Sequence, residues 1–212
     1  MYQPKLIERP EDDAPRVVLD ERGLVTYDPC FLERPVADVL LHELLSEVPW
    51  KQEHLRVYGR EIPFPRLTAW YGDPGAIYTY SGIANRPLAW TPVLALLRER
   101  LQRTLGTCFN SVLLNLYRTG CDGMGWHADD EPELGARPVV ASVSLGAVRR
   151  FELRSRQTGE VRRIELEHGS LLVMRGQSQR CWEHQVPKER TVRATRVNLT
   201  FRAVQLTLSA SR

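Results

Sequence analysis

The stretch that decides the fold is TRVNLTFRAV, residues 195–204. Side chains of an extended strand point alternately to its two faces. One face of this strand therefore carries only polar side chains, which are Arg196, Asn198, Thr200 and Arg202. The other face is apolar, so a half-buried strand would pack that face and present two guanidiniums, an amide and a hydroxyl in one row. Such a row is suited to bind a small dianion.

The carboxyl-terminal half of the chain contains further runs with strand character. In the run Ser111–Arg118, Asn115 and Tyr117 share one face and leucines occupy the other. More strand-like runs, several of them separated by turn residues, lie at 139–145, 150–154, 160–166 and 170–174. This half is therefore predicted to be mainly β.

Two helices are predicted before these strands. Apolar residues at mostly helical spacing indicate a helix over Pro35–Trp50. A second helix opens at Thr91 and Pro92, an N-cap followed by the proline favoured in the first turn, and ends at Gly106. Helices followed by six or more short strands predict an α+β fold whose main body is a sandwich or a jelly-roll barrel.

The chain divides into a short arm and one domain. Residues 1–30 are polar and contain several prolines, which predicts a loose arm or a peripheral strand, and residues 31–212 form a single domain with its barrel core at 110–204. Residues 56–90 combine aromatic residues with glycine and proline. Clustered rings on such a segment favour hairpins that present them, although the same rings could simply cover the barrel.

Composition excludes several classes of protein. The chain is 42% hydrophobic and 26% charged, and no apolar run approaches the roughly 18–20 residues of a membrane span. No secretory signal is visible at the N-terminus. These features predict a cytoplasmic protein with no membrane partner, whose four cysteines are reduced thiols. The net charge of +3 permits binding to nucleic acid without demonstrating it.

One histidine–carboxylate pattern points to a metal. His127 and Asp129 form an HxD triplet whose ends share a side if the segment is extended, and His184 follows downstream. Two imidazoles and one carboxylate make up the facial triad of non-haem Fe(II) oxygenases. The triplet alone is a weak signal, because chance often produces it. Together with arginines that could bind the far carboxylate of 2-oxoglutarate, it predicts a polar pocket inside a β-barrel.

These segments resemble the AlkB family of iron- and 2-oxoglutarate-dependent dioxygenases. The matching stretches are NLYRTGCDGMGWHADDE (115–131), ASVSLG (141–146), HGSLLVMRG (168–176), WEHQVPK (182–188) and RVNLTFR (196–202). Upstream, VYG (57–59), YGDPG (71–75) and YTYSG (78–82) are similar to the nucleotide-recognition segment of the DNA-repair branch, which contains AlkB homologues two and three. The resemblance implies a double-stranded β-helix, that is a jelly-roll barrel, with flanking N-terminal helices and a nucleotide-recognition lid over 56–90.

The resemblance also implies a role for each matching residue. The iron ligands are matched by His127, Asp129 and His184. The 2-oxoglutarate contacts are matched by Asn115, Tyr117, Arg196, Asn198, Thr200 and Arg202. Among the substrate contacts, Glu131 matches the acid that contacts the flipped base, and Tyr80 matches the ring that stacks on that base. Tyr78 and Ser81 match neighbouring substrate contacts.

The implied reaction is oxidative demethylation of N-alkylated bases in DNA, foremost 1-methyladenine and 3-methylcytosine. Fe(II), O2 and 2-oxoglutarate would be required, with succinate, CO2 and formaldehyde as products. A methyl group at these positions blocks the Watson–Crick edge, so the damaged base costs less to extrude. The expected partner is alkylated DNA, single-stranded and possibly double-stranded, with RNA as a further possibility, and the expected state is a monomer.

Two residues depart from the pattern of the double-strand-specific member. Tyr58 stands where that member inserts a phenylalanine wedge, and Glu189 interrupts the basic run that follows the second histidine. Both weaken the expectation of a duplex preference. The alternatives are an RNA demethylase, a protein-directed 2-oxoglutarate dioxygenase and a non-catalytic metal-binding barrel. The aromatic YTYSG segment favours a base over a protein side chain, and the intact triad and arginines argue against the non-catalytic barrel.

Overall fold

The computed structural model describes residues 14–57, 60–76, 78–80 and 83–205 of the 212-residue chain. The strands are β1 Arg16–Leu19, β2 Leu24–Asp28, β3 His54–Val57, β4 Arg60–Pro63, β5 Leu67–Gly72, β6 Tyr78–Tyr80, β7 Ile83–Asn85, β8 Ser111–Tyr117, β9 Met124–His127, β10 Val140–Gly146, β11 Arg149–Ser155, β12 Val161–Leu166, β13 Ser170–Arg175, β14 Trp182–Val186 and β15 Arg196–Arg202. The helices are α1 Arg34–Glu47, α2 Pro92–Leu105 and α3 Ser178–Cys181.

Two antiparallel sheets form the body of the protein. The major sheet has seven strands in the order β1-β2-β13-β10-β15-β8-β5, and the minor sheet has four in the order β12-β11-β14-β9. Apart from the pairs β1–β2 and β11–β12, strand neighbours in both sheets are not consecutive in sequence, as in a jelly roll. The predicted α+β fold with a jelly-roll core is confirmed. Two small hairpins, β3–β4 and β6–β7, complete the described strands.

Strand β15 lies near the centre of the major sheet, between β10 and β8. Its apolar residues Val197, Leu199 and Phe201 are fully buried in a core that also contains residues of α1 and α2. Its polar residues are buried as well, so every residue of β15 is buried. The sequence predicted this alternation of faces and a polar pocket inside the barrel, and the polar face of β15 is turned into the protein interior.

The two long helices cover the apolar side of the major sheet. Helix α1 ends at Glu47, before the predicted Trp50, because the residue preceding Pro49 is disfavoured in helical conformation. Helix α2 matches its prediction: the Thr91 hydroxyl accepts a hydrogen bond from the Leu94 amide, and Gly106 ends the helix with φ +61°. Each of these helices has 14 residues. In the described ranges no helix is long and apolar enough to cross a membrane.

The predicted arm over 1–30 is corrected in its second half. Strands β1 and β2 extend the edge of the major sheet, where β2 pairs with β13. Val25 and Tyr27 are fully buried there, so this part of the chain belongs to the domain. Of the two structures that the sequence left open for this arm, a loose arm or a peripheral strand, the described part forms peripheral strands. Strands of 4 and 5 residues are too short to give a clear alternating pattern.

The predicted lid over 56–90 is also corrected in part. Strand β5 pairs with β8 along its whole length and so belongs to the major sheet. Trp70 and Tyr71 are buried in the structure, and these two rings therefore stabilise the body of the protein. The hairpins β3–β4 and β6–β7 lie outside the two main sheets.

Candidate active site

A cavity of about 60 Å3 lies between the two sheets and is called the inner cavity here. One wall comes from the major sheet and carries mostly polar side chains, which are Asn115, Tyr117, Ser142, Asn198, Thr200 and Arg202. The opposite wall carries His127, Asp129 and His184 together with apolar residues of the minor sheet. Most of the predicted metal and co-substrate residues therefore line one space.

The three predicted metal ligands come together at this wall. Strands β9 and β14 are neighbours, and their register places His127 directly beside His184. Asp129 follows β9 by two residues. One ligand atom from each of the three residues lies within 4.8 Å of the others. The sequence analysis did not identify either strand, because β9 has only 4 residues and contains Gly125.

The tautomer of His127 follows from its partner. Its Nδ1 lies 2.8 Å from the backbone carbonyl of Gly125. A carbonyl only accepts hydrogen bonds, so Nδ1 must carry the proton and Nε2 must carry the lone pair. A hydrogen bond of this kind fixes the ring orientation of many metal-binding histidines. His127 is thus prepared to bind a metal through Nε2.

Asp129 is buried and its two carboxylate oxygens differ. Oδ1 accepts a hydrogen bond from Arg202 at 2.9 Å, whereas Oδ2 is buried with no hydrogen-bond partner among the described residues. Burial alone would raise the pKa of Asp129, but Arg202 and the two histidines outweigh that effect and hold the pKa below its ordinary value. The ionised carboxylate therefore offers one oriented oxygen to a cation.

His184 is buried at the centre of the site. Its ring centroid lies 4.1 Å from that of His127 and 5.4 Å from that of Phe151. Burial is the largest cause that lowers the pKa of His184 from 6.5 to about 3, and the charge of Arg202 acts in the same direction. The imidazole is therefore neutral at physiological pH, which is the form that binds metals.

The polar wall is held by hydrogen bonds between strands. Asn198 donates from Nδ2 to the Ser142 hydroxyl at 2.8 Å and to the Val143 carbonyl at 3.0 Å. Asn198 and Asn115 face each other across β15 and β8. The two hydrogen bonds to β10 fix the orientation of the Asn198 amide, so the wall presents polar groups in defined positions.

Arg196 lies apart from the inner cavity wall, under the ring of Tyr117. Its guanidinium carbon is 5.1 Å from the centre of that ring, and Nη2 donates to the Ser144 hydroxyl at 3.0 Å. The residue is 1% exposed, yet Nε and Nη1 have no hydrogen-bond partner among the described residues. Burial lowers the pKa of Arg196 from 12.5 to about 10, an effect that Tyr117 partly offsets. A buried cation with unused donors indicates a place for an anion.

Two side chains of the site, Arg66 and Gln179, were not predicted from the sequence. Arg66 is buried, lines the inner cavity and donates from Nε to the Asn115 side-chain oxygen at 2.8 Å. Gln179 is buried and accepts from the Asp129 amide at 2.9 Å. No motif marked Arg66, which stands between a proline and a strand, and Gln179 lies on the four-residue α3. Only the fold brings them to the site.

The predicted substrate contacts are placed only in part. Glu131 follows Asp129 by two residues, at the N-cap of a short 3-10 helix, and does not line the inner cavity. Its Oε2 is buried without a hydrogen-bond partner in the described part of the chain. Tyr78 and Tyr80 lie on β6, and Tyr58 and Ser81 lie outside the described residues.

Comparison with known proteins identifies relatives at high similarity. The sequence profile of the 2OG-Fe(II) oxygenase superfamily matches residues 24–202. Human alpha-ketoglutarate-dependent dioxygenase alkB homolog 3 is 42% identical over 95% of this chain and 73% of its own length, and the rat protein of that name is 43% identical over 95% and 71%. Human DNA oxidative demethylase ALKBH2 is 42% identical over 81% of this chain and 70% of its own length.

Solved structures agree on the fold. The structure of OsALKBH1 has a TM-score of 0.59 and 21% identity, covering 84% of this chain and 97% of the other. An oxidoreductase of the 2OG-Fe(II) oxygenase family from Burkholderia pseudomallei has a TM-score of 0.58 and 14% identity, covering 86% and 87%.

A jelly roll with two histidines and one carboxylate in its interior defines the class of the non-haem iron oxygenases. This chain belongs to the 2OG-Fe(II) oxygenase superfamily and, within it, to the AlkB homologues. Membership implies Fe(II), 2-oxoglutarate and O2 as cofactor and co-substrates.

Proposed function

We propose that this protein repairs alkylated DNA by oxidative demethylation, with 1-methyladenine and 3-methylcytosine as its main lesions. The observation that carries the proposal is a buried cavity in which the metal-binding triad faces a polar wall that includes Asn198 and Arg202. The names of its relatives, alpha-ketoglutarate-dependent dioxygenase and DNA oxidative demethylase, support this reading.

The residues of the site fit an iron ion. His127 offers Nε2, His184 is neutral, and Asp129 is ionised with a buried oxygen that has no partner in the described part of the chain. These are the nitrogen and oxygen donors that non-haem Fe(II) accepts. Arg202 fixes the other oxygen of Asp129, which keeps the carboxylate in one orientation.

The residues also fit 2-oxoglutarate, a dicarboxylate. Arg202 lies at the metal end of the polar wall, beside Asp129, and Arg196 lies at the other end of the same strand face. We assign Arg202 to the keto-acid end of the molecule and Arg196 to its far carboxylate. Asn115, Tyr117, Asn198 and Thr200 then offer hydrogen bonds along its length. The carboxylate would pair with the unused Nε and Nη1 of Arg196 and recover the cost of burying that charge.

Iron bound here, with O2 and 2-oxoglutarate, supplies the oxidation of the N-methyl group to a hydroxymethyl group. The carbon–nitrogen bond of that group then breaks, and formaldehyde leaves the restored base. The protein's own contribution is to hold the co-substrate between two arginines and to exclude water from a buried cavity. Apolar side chains such as Phe151 and Met174 line that cavity and leave little space for bulk solvent.

The substrate side of the site is assigned by the resemblance. A base methylated at these positions carries a positive charge, and Glu131 would attract it more strongly than the neutral product. Tyr80 would stack on the base, with Tyr78 and Ser81 beside it. Base–aromatic stacking contributes about 1–3 kcal/mol per base, which makes these rings large contributors to substrate binding.

A panel of methylated oligonucleotides tests the proposal. Single-stranded DNA, duplex DNA and RNA that carry one 1-methyladenine are incubated with protein, Fe(II), 2-oxoglutarate and O2, and formaldehyde is measured. We expect release from DNA, with single strands at least as good as duplexes. A methylated peptide is incubated under the same conditions. If the peptide is demethylated while all the nucleic acids stay methylated, the assignment of DNA as the substrate is wrong.

Strand preference is tested separately through Tyr58. A wedge fills the gap that the flipped base leaves in a duplex, whereas an unstacked strand needs none. Tyr58→Ala should therefore reduce repair of duplex DNA and spare single strands. Equal loss on both substrates would show that Tyr58 supports the active site or the fold instead.

A further inference from the structure

The loop that carries Asp129 begins where β9 ends. Strand β9 pairs with β14 as far as His127, which lies opposite His184. Asp129 lies two residues beyond that pair, outside any helix or strand. Pairing between strands therefore fixes the two histidines relative to each other, whereas the buried backbone amide of Asp129 needs a partner of a different kind.

The side chain of Gln179 is that partner. It is buried, and its Oε1 accepts a hydrogen bond from the Asp129 amide at 2.9 Å. Its Nε2 donates to Sδ of Met174, which is also buried, at 3.3 Å. A backbone amide can only donate, so the oxygen must face Asp129 and the NH2 group must face the sulfur, a weak acceptor. Both ends of this side-chain amide are therefore used, and its orientation is fixed.

The place of Gln179 in the chain connects this hydrogen bond to the rest of the triad. Gln179 lies on α3, and α3 leads directly into β14, which begins at Trp182. His184 is the third residue of β14. The hydrogen bond from Asp129 thus ties the loop after β9 to the segment that carries the second histidine. Strand pairing and this one bond together connect all three residues of the triad.

Gln179 is placed to support the site rather than to bind the ion. Within the described part of the chain it is not among the residues that line the inner cavity, whereas its neighbour Met174 is. Arg202 holds Oδ1 of the Asp129 carboxylate, and Gln179 holds the backbone of the same residue. The two contacts fix Asp129 at its two ends, so the carboxylate keeps one orientation toward the two histidines.

We infer that Gln179 is a positioning residue for the metal site, which acts through the Asp129 backbone and holds the carboxylate in place before a cation binds. A site whose ligands are already ordered loses less conformational entropy when it binds an ion. This inference rests on the metal triad of the proposed function. It concerns binding of the ion alone, so it can be tested without any nucleic acid.

Two substitutions at Gln179 separate positioning from stability. Gln179→Met keeps the length of the side chain but removes the oxygen, so the Asp129 amide loses its acceptor. The dissociation constant for Mn(II), measured by electron paramagnetic resonance of the free ion, should therefore rise by about ten- to a hundredfold. Gln179→Glu keeps an oxygen in the same place, so the constant should stay within about threefold of wild type. Because Gln179→Glu buries a carboxylate, it should lower the midpoint of urea unfolding of the metal-free protein more than Gln179→Met does.

Arg156→Gln is the matched control. Arg156 forms an ion pair at 3.1 Å with Asp130, the residue that follows Asp129 in the same loop. The two side chains are 40% and 51% exposed, and ion pairs as exposed as this one contribute little to stability. The affinity for Mn(II) should therefore stay at its wild-type value. An equal loss of affinity in this control would mean that any loosening of the loop weakens metal binding, which would overturn the inference.

Two further outcomes would contradict the inference. One is a Mn(II) dissociation constant in Gln179→Met that equals the wild-type value while the fold is less stable, because Gln179 would then serve only the fold. The other is equal weakening of Mn(II) binding by Gln179→Met and Gln179→Glu, because the retained oxygen would then have no effect. If Gln179→Met does not fold, Gln179→Glu still decides: a constant raised about tenfold would overturn the inference, and a retained one would support it.

The assay of Mn(II) binding also separates this inference from the proposed function. The wild-type protein and both Gln179 variants are compared in parallel for demethylation of the methylated oligonucleotides. Weaker Mn(II) binding by Gln179→Met than by Gln179→Glu, with no demethylation even by the wild type, would refute the proposed function and still support Gln179 as a positioning residue.

Discussion

Replacing Arg196 with methionine should strengthen the ligand-free fold and weaken binding of 2-oxoglutarate. Arg196 is 1% exposed and two of its three guanidinium nitrogens have no hydrogen-bond partner in the described part of the chain. Burial is the main cause that lowers the pKa of Arg196 from 12.5 to about 10, a net penalty on the charged form of about 3 kcal/mol. Methionine fills similar space without a charge, so the free energy of unfolding should rise by about 1–3 kcal/mol.

The same change removes the partner of the far carboxylate. A hydrogen bond to a charged group contributes about 1.5–3 kcal/mol. The dissociation constant for 2-oxoglutarate should therefore increase by about ten- to a hundredfold. The assay combines urea unfolding at pH 7, followed by tryptophan fluorescence, with calorimetric titration of 2-oxoglutarate into the Mn(II)-loaded protein.

Arg149 provides a matched control for Arg196. It is also 1% exposed and its guanidinium lies 5.7 Å from the same Tyr117 ring. Unlike Arg196, it donates to three backbone carbonyls and to Glu189. Arg149→Met should therefore destabilise the fold by about 3 kcal/mol or more, since it leaves those acceptors without a donor. If Arg196→Met destabilises the protein to the same extent and leaves the affinity for 2-oxoglutarate unchanged, then Arg196 is a structural residue and the reasoning fails.

Three further predictions concern single carboxylates and the second arginine. Asp129→Ala should abolish Fe(II)-dependent succinate production while leaving the fold intact, and activity within about tenfold of wild type would exclude it as a ligand. Arg202→Ala should weaken 2-oxoglutarate binding by about ten- to a hundredfold. Arg202→Lys should restore only part of the loss, since lysine cannot form a bidentate pair. An unchanged dissociation constant for 2-oxoglutarate would contradict the assignment of Arg202 to this ligand. Burial would raise the pKa of Asp122, but its hydrogen bonds with Arg118 lower it below the ordinary value of 3.8. The ionised Asp122 should therefore stabilise the fold fully above pH 3.8, and this contribution should disappear as the pH falls further. In urea unfolding, the difference in stability between wild type and Asp122→Asn should narrow in acid. A difference that stays constant with pH would contradict the assigned cause.

The sequence was sufficient for the parts of the fold that depend on local pattern. Alternation in β15 showed which residues share a face, and the Thr91 cap and Gly106 marked both ends of α2. The sequence also predicted a polar pocket inside the barrel, but it did not show which strands form the wall opposite β15. That wall belongs to the minor sheet, whose strands β9 and β14 have only 4 and 5 residues.

The site residues also divide into those that the sequence revealed and those that only the fold reveals. The sequence revealed the metal ligands His127, Asp129 and His184, because two histidines and one carboxylate form a known iron-binding pattern and match the AlkB family. Arg66 and Gln179 could not be found, because each acts through a contact distant in sequence: Arg66 binds Asn115 across 49 positions, and Gln179 binds the Asp129 amide across 50. Similarly, Trp70 and Tyr71 had the composition of a substrate-binding segment, and only the pairing of β5 with β8 placed them in the body of the protein.

The central claim is that oxidation of 2-oxoglutarate is coupled to removal of a methyl group from a DNA base. The most direct test is to quantify three products in one reaction on a single-stranded oligonucleotide that carries one 1-methyladenine. Succinate and formaldehyde are measured by chromatography, and the repaired strand by its mass, which falls by one CH2 unit. We expect the three products in equal amounts, and none of them from Asp129→Ala. If the wild-type protein forms succinate while the mass of the oligonucleotide stays unchanged, the proposed repair of DNA is contradicted, because the enzyme would then oxidise some other substrate.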